Sequence, residues 1–372
     1  MGDAGNPSFV LRAIKDVALE PIANPEIIDP YDVIVHIGQT GICGSDVHYW
    51  QRGRIGDFIL NSPIVLGHES AGTVTATGSK VTNVRVGDRV AIEPGVPCRH
   101  CNYCRSGSYN LCPDTVFAAT PPHNGTLSKL YKTAADYVYP LPQHLTVEDG
   151  ALCEPVAVAV QICKVGNVRA GDKVVVFGCG PIGLLVQSVC KAYAAATVIG
   201  VDVSQARLDL ASTVLQCADG VFLPPKPATP PQTADEECEW SAQVAQQIRD
   251  RFPQLGSEGP DIVIDATGAQ PCIQTGMNLC KKGGVYVQAG MGRENVTVPL
   301  TNALIRDLTI RGSIRYTAGV YPRAVELVAS GKVQPRKLIT HRYKFEEAEE
   351  AFETVRRGGE GVLKVMIEGV RD

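Results

Sequence analysis

The first 150 residues carry short runs in which apolar side chains crowd or alternate, punctuated by glycine and proline: "DVIVHI", "SAGTVTAT" and "DRVAIEP". A period near two with turn residues at short intervals predicts a mostly antiparallel β domain with little helix. Near residue 155 the texture changes. "KVVVFGCGPIGLLVQSVCKAYAAATVIGVDVS" reads as buried strand, glycine turn, helix and second strand. "PDIVIDATG" and "GGVYVQAGMG" add two short apolar runs, the pattern of parallel strands covered on both faces. From about residue 300 the mixed texture returns, ending in "FEEAEEAFETVRRG", an amphipathic helix pattern. The chain is therefore expected to be α/β plus β. A β domain of residues 1–155 and 300–372 would be interrupted by a doubly wound parallel-sheet domain, 156–299. Within the latter, "PPKPATPPQTADEEC" predicts an exposed loop and "SAQVAQQIRDRF" a helix.

Composition narrows the classes. A chain of 372 residues is long for one core, which agrees with two domains. Net charge is −4, with no basic stripe for nucleic acid. No apolar run reaches the roughly 18 residues of a membrane span. "MGDAGNPSFVLRAIKDV" lacks the apolar core of a signal peptide, so a cytosolic protein is expected. Thirteen cysteines, an odd number, then argue for reduced thiols and metal ligands over disulfides. Cys153, Cys163, Cys179, Cys190, Cys217, Cys238, Cys272 and Cys280 fall outside any metal pattern, and most sit in apolar sequence as small core residues.

Gly178, Gly180 and Gly183 form G-x-G-x-x-G between a strand pattern and a helix pattern, and the next strand ends in Asp202. In that context the motif predicts a dinucleotide site. The glycines permit the turn, the approach of a pyrophosphate and close helix packing, while the helix N-terminus attracts phosphate. Asp202 would take the adenosine ribose hydroxyls and repel an added phosphate, which favours NAD over NADP. Arg207 could stack on adenine or grip that phosphate. Pro181, Ile182, Thr267, Gly268, Ala289, Gly290, Met291, Ser313, Ile314 and Arg315 are the other candidates for cofactor contact.

Residues 98–112, "CRHCNYCRSGSYNLC", place Cys98, Cys101, Cys104 and Cys112 at metal-ligand spacing. Four thiolates close a tetrahedral zinc and leave no position for substrate, so this metal would hold a lobe together. Arg99, His100 and Arg105 are placed to offset its negative charge. The chemistry should then lie at "TGICGSDVHYW" and "VLGHES". There Cys43, His68 and Glu69 offer one sulfur, one nitrogen and one oxygen, and three protein ligands leave zinc an open position.

These stretches, with "VGDRVAIEP" and "VVVFGCGPIGLL", resemble the zinc-dependent medium-chain dehydrogenases over nearly the whole chain. The resemblance implies a GroES-like catalytic domain with an inserted Rossmann domain, and a homo-oligomer, tetramer or dimer. In "ALCEPVAVAV", Glu154 stands where alcohol dehydrogenases of the family have a cysteine ligand. That resembles the polyol branch of sorbitol, xylitol and L-arabinitol dehydrogenases. "NPSFVLRAIKDV", "FAATPPHNGTL" and "IRYTAGVYPRAVELVASGKV" look most like the xylitol enzymes. The resemblance implies Cys43, His68 and Glu69 as catalytic zinc ligands. Glu154 would be a neighbour through water or an exchanging ligand, and charge favours the neighbour: zinc with Cys43 and Glu69 is already neutral. It further implies Ser45 and His48 as a proton relay, and Tyr49, Glu154, Arg315 and Tyr316 as partners of a polyol. A non-catalytic relative would be expected to lack metal ligands, and none is missing.

Overall fold

The computed structural model describes residues 5–359 and 361–371. The chain divides into two units. The first comprises Met1–Ala157, Tyr316–Gly331 and Leu338–Asp372; the second comprises Val158–Arg315 and Lys332–Lys337.

In the first unit the expected β runs become strands of a seven-stranded sheet around Asp32–Gly41. On one side of that strand lie Glu69–Thr77, then Arg89–Ile92 and Val138–Pro140, all antiparallel. Its other side is shared by Leu130–Ala134 along the first half and Lys364–Glu368 along the second. Ile339–Tyr343 joins Lys364–Glu368 in the one parallel pair of this sheet. A smaller sheet of Asp16–Ile22, Asn6–Ala13 and Ile64–Val65 packs its apolar side chains, among them Phe9 and Leu11, with Trp50 and Phe352. The terminal amphipathic pattern forms the helix Ala348–Arg357, whose Phe352 is wholly buried in that cluster.

The second unit holds six strands, all parallel. Their order is Gly220–Phe222, Thr197–Val201, Lys173–Phe177, Ile262–Asp265, Val285–Gln288, Thr309–Gly312. Numbered along the chain this is 3-2-1-4-5-6, the doubly wound order of a Rossmann domain. Val174, Val175, Val176, Val198 and Ile199 have no exposure, which explains why these strands read as continuous apolar runs.

The expected return to the first domain at about residue 300 needs correction. The crossing falls between Arg315 and Tyr316. Thr309–Gly312 pairs in parallel with Val285–Gln288 and so extends the second unit's sheet. All four of its residues are exposed, and its sequence carries no apolar run to announce it. The helix expected from Ser241 also begins earlier, at Ala234. The Thr233 side chain accepts the Glu236 amide as an N-cap, and Asp235, Glu236 and Glu237 complement the helix dipole in the first turn.

Candidate active site

Two chain segments in the first unit bring the expected catalytic ligands together. Cys43 caps the helix Gly44–Arg52. Glu69 opens its strand directly opposite Gly41. His68 precedes it, after Gly67 in a left-handed conformation. One ligand atom from each of Cys43, His68 and Glu69 lies within 4.8 Å of the others, a spacing that one metal ion can bridge. His68 and Glu69 are buried and Cys43 is half-buried.

Asp46, one turn into the helix, orders this corner. Its carboxylate accepts the amides of Cys43 at 3.1 Å and Gly67 at 3.2 Å. It also meets His68 Nδ1 at 3.2 Å. A carboxylate on Nδ1 fixes the ring and turns Nε2 toward a metal. Burial opposes a proton on His68, but the Asp46 and Cys43 charges raise its pKa well above the ordinary histidine value.

Lys364 is the residue that the sequence did not point to. Its ammonium, nearly fully buried, pairs with Glu69 Oε2 and donates to the Ile42 carbonyl at 3.1 Å. Burial works against its charge, and Glu69 and Cys43 hold its pKa up. Only glycine fits beside this pair: a Cβ on Gly41 would stand 2.3 Å from Glu69 Oε2. A metal at the site would share Glu69 with Lys364. Lys364→Met should therefore cost metal-free protein about 3–5 kcal/mol, the usual penalty for orphaning one member of a buried pair. It should cost metal-loaded protein less, because the ion takes up the carboxylate charge. Thermal melts with and without chelator measure both; equal losses would remove Glu69 as the shared group.

Glu154 is buried, and its Oε1 accepts the Tyr316 hydroxyl at 2.8 Å. Its other oxygen has no hydrogen-bond partner among the described residues. Burial pushes the Glu154 carboxyl up to about 7, aided by Glu69 and opposed by His68, Tyr316 and Lys364. Phe117 spans the two groups, its ring 5.9 Å from His68 and 6.4 Å from Tyr316. The neighbouring Cys153 is turned away, its thiol donating to the Asp149 carbonyl at 3.4 Å. Tyr49, another expected substrate partner, is buried in the apolar cluster with Phe9, Trp50 and Phe352. Ser45 and His48 stand three residues apart on one helix, half-buried. Burial first, and then Arg52, lowers the His48 pKa, which keeps its imidazole neutral near pH 7. Arg315 ends the long segment of the second unit, Val158–Arg315, with left-handed backbone, φ 50°.

The four lobe cysteines also converge. Their Sγ atoms all lie within 4.8 Å of one another, with Cys101–Cys104 at 3.5 Å and Cys98–Cys104 at 3.9 Å. Zinc–sulfur bonds of about 2.3 Å at tetrahedral angles put sulfurs about 3.8 Å apart, so the cluster has the size the ion requires. Backbone amides of His100 and Cys101 point at Cys98 Sγ, at 3.4 and 3.3 Å. These amides, and the Cys98 amide on Cys112 Sγ, would offset the charge of metal-bound thiolates. Arg99 does not serve that purpose as expected: its guanidinium binds Asp136 at 2.7 Å and lies over the Tyr137 ring.

In the second unit Gly178 takes φ 97° and Gly180 caps the helix Pro181–Ala192, with Pro181 and Ile182 in its first turn. A Cβ on Gly183 would fall 1.8 Å from the Gly178 carbonyl oxygen, so the helix can pack on the turn only with glycine there. Asp202 reaches back to this turn, accepting the Cys179 amide at 2.7 Å and the Ser204 amide at 2.9 Å. Arg207 is half-buried on the following helix. The other strand ends are organised by Asp265, which the sequence reading passed over. Its carboxylate accepts the Thr267 hydroxyl and amide, the Gly268 amide and the Gln288 amide group. Its carbonyl accepts the Ala289 and Gly290 amides. Gln288 in turn accepts the Ser313 amide, while Met291 and Ile314 stay exposed.

Residues 29–143 match the family model of the alcohol dehydrogenase GroES-like domain, and residues 181–330 that of zinc-binding dehydrogenase. D-xylulose reductase A of Aspergillus niger is 48% identical over 368 residues, covering 99% of this chain and 98% of that protein. L-idonate 5-dehydrogenase of Escherichia coli K-12 superposes with a TM-score of 0.85 at 28% identity, over 98% of each chain. A "short chain alcohol dehydrogenase" of E. coli CFT073, complexed with cofactor NADH, superposes with a TM-score of 0.82 at 25% identity, over 98% of this chain and 100% of that one.

Proposed function

Because this chain belongs to the zinc-dependent medium-chain dehydrogenases, we propose that it is an NAD-dependent polyol dehydrogenase that interconverts xylitol and D-xylulose. Two zincs per chain are proposed, one held by Cys43, His68 and Glu69 and one by Cys98, Cys101, Cys104 and Cys112. The observation that carries the substrate assignment is Glu154, a buried carboxylate held by Tyr316 in the electrostatic company of His68 and Glu69. A polyol offers neighbouring hydroxyls for such a group, and a simple alcohol does not. The ketose named in the A. niger relative agrees with this choice.

When bound, zinc supplies Lewis acidity toward a substrate hydroxyl and NAD accepts the hydride. The residues of this chain do the rest. Asp46 holds His68 in one ring orientation. Glu154 orients water or a second hydroxyl through the oxygen that Tyr316 leaves open. Lys364 offsets the negative charge that Glu154 brings beside Cys43 and Glu69. Ser45 and His48 carry the proton outward, with neutral His48 as acceptor. Tyr316, Arg315 and Tyr49 are the proposed partners of the remaining hydroxyls, Tyr49 from its place in the apolar cluster. Asp202 would bind the adenosine ribose and exclude a phosphate there.

We assign the protein to the cytoplasm as a homo-oligomer, dimer or tetramer. No described helix is long and apolar enough to cross a membrane. Leu300, Leu304 and Ile305 are 64, 76 and 70% exposed, an apolar surface that suits a subunit contact. Initial rates on xylitol, sorbitol and L-arabinitol, each with NAD and NADP, test the reading. Xylitol with NAD should give the highest kcat/KM; a leading rate on sorbitol or L-arabinitol would move the assignment within the polyols.

A further inference from the structure

The four-cysteine lobe reaches the substrate side of the site by two routes. Residues 98–112 are inserted between the paired strands Gly95–Val96 and Val116–Phe117. The direct route is one backbone bond, from the Ala318 amide to the lobe's Gly107 carbonyl at 3.2 Å, two residues after Tyr316. The second runs through Glu93, a carboxylate with no exposure. Tyr109 of the lobe donates to Glu93 Oε1 at 2.6 Å, and Tyr139 donates to Oε2 at 2.7 Å. The Tyr139 ring stacks on Tyr321 with centroids 5.0 Å apart. Tyr321 is fixed by its hydroxyl on the Ile92 carbonyl at 2.6 Å and meets Tyr316 edge-on at 5.8 Å. Tyr316 then donates to Glu154.

A buried carboxylate is costly, and burial pushes the Glu93 carboxyl up to about 7 despite its two phenol donors. An anchor for the lobe alone would need only the Tyr109 side of Glu93. The second oxygen instead holds a ring whose stacking continues toward Tyr316 and Glu154, so the polar group sits where two packed layers join. Resting on the reading of Tyr316 and Glu154 as substrate-side residues, we propose that Glu93 is a positioning residue: it ties the metal-bearing lobe to Tyr139 and so sets where Tyr321, Tyr316 and Glu154 stand. The lobe then shapes polyol recognition as well as stability.

Tyr109→Phe removes one hydroxyl and keeps the ring against Tyr137, 6.1 Å away. In zinc-loaded protein, hydrogen exchange at residues 316–321 should quicken about tenfold in this variant and in Glu93→Gln, with the strands Asn6–Ala13 and Asp16–Ile22 unchanged. The kcat/KM for xylitol should fall about fivefold to tenfold at unchanged zinc content, and the same substitution should have almost no further effect in a Tyr316→Phe background. Exchange at 316–321 that stays at the wild-type rate overturns the proposal, and so do effects of Tyr109→Phe and Tyr316→Phe that simply multiply. A wild type inactive on every polyol would remove the substrate reading alone, since the exchange measurement would still decide the positioning role.

Discussion

Cys43→Ser should leave a folded, nucleotide-binding protein whose turnover has fallen about a thousandfold or more. The sulfur is one of three ligand atoms grouped within 4.8 Å, and a site reduced to His68 and Glu69 holds zinc poorly. A Lewis acid in this position supplies several kcal/mol of transition-state stabilisation, and each 1.4 kcal/mol is about a factor of ten in rate. Cys101→Ser should act differently. It breaks the closed cluster, where binding energy is folding energy, so the melting temperature and assembly should fall first. Folded Cys101→Ser protein should still hold one zinc per chain and turn over substrate. Zinc analysis, thermal melts and initial rates on both variants check this. Normal activity in folded Cys43→Ser would end the division of labour between the two metals.

The second large effect concerns the cofactor. Asp202→Ala should lower kcat/KM for NAD and raise it for NADP, shifting their ratio by about two orders of magnitude. Two causes contribute. The negative charge proposed to repel an added ribose phosphate is gone. The Cys179 amide also loses its 2.7 Å acceptor, and orphaning a buried donor costs about 1–3 kcal/mol. Asp202→Asn separates them, because the amide oxygen still accepts a hydrogen bond while the charge is lost. That variant should gain on NADP with a smaller loss on NAD. Faster turnover of wild type with NADP than with NAD, at equal low concentrations, would refute the role given to Asp202.

What could be read in advance follows how local each signal is. The parallel strands of the second unit announced themselves because each is a run of buried apolar residues. Cys98 to Cys112, and Gly178 to Gly183, lie within one short segment each, so spacing alone carries their geometry. Cys43, His68 and Glu69 needed the family resemblance, since the first two stand 25 positions apart and only the sheet register sets Glu69 against Gly41. Thr309–Gly312 escaped notice because its four residues are exposed and its place depends on the partner strand. Lys364 was hidden for a different reason. A lysine in "GVLKVMIEG" reads as a solvated residue, and its burial against Glu69 appears only when two strands from opposite ends of the chain flank Gly41. The Glu93 network joins residues 93, 109, 139, 316 and 321, and no spacing rule links them.

Polyol oxidation at a zinc site rests most directly on one comparison: kcat/KM of the wild-type enzyme for xylitol against ethanol, with saturating NAD. In the proposed site ethanol would offer a hydroxyl for the metal but no second hydroxyl for the Glu154 oxygen that Tyr316 leaves open, and sites built to hydrogen-bond a substrate discriminate strongly against analogues that lack those groups. Xylitol should exceed ethanol by at least about two orders of magnitude. Equal efficiency on the two alcohols would contradict the polyol assignment and the role given to Glu154.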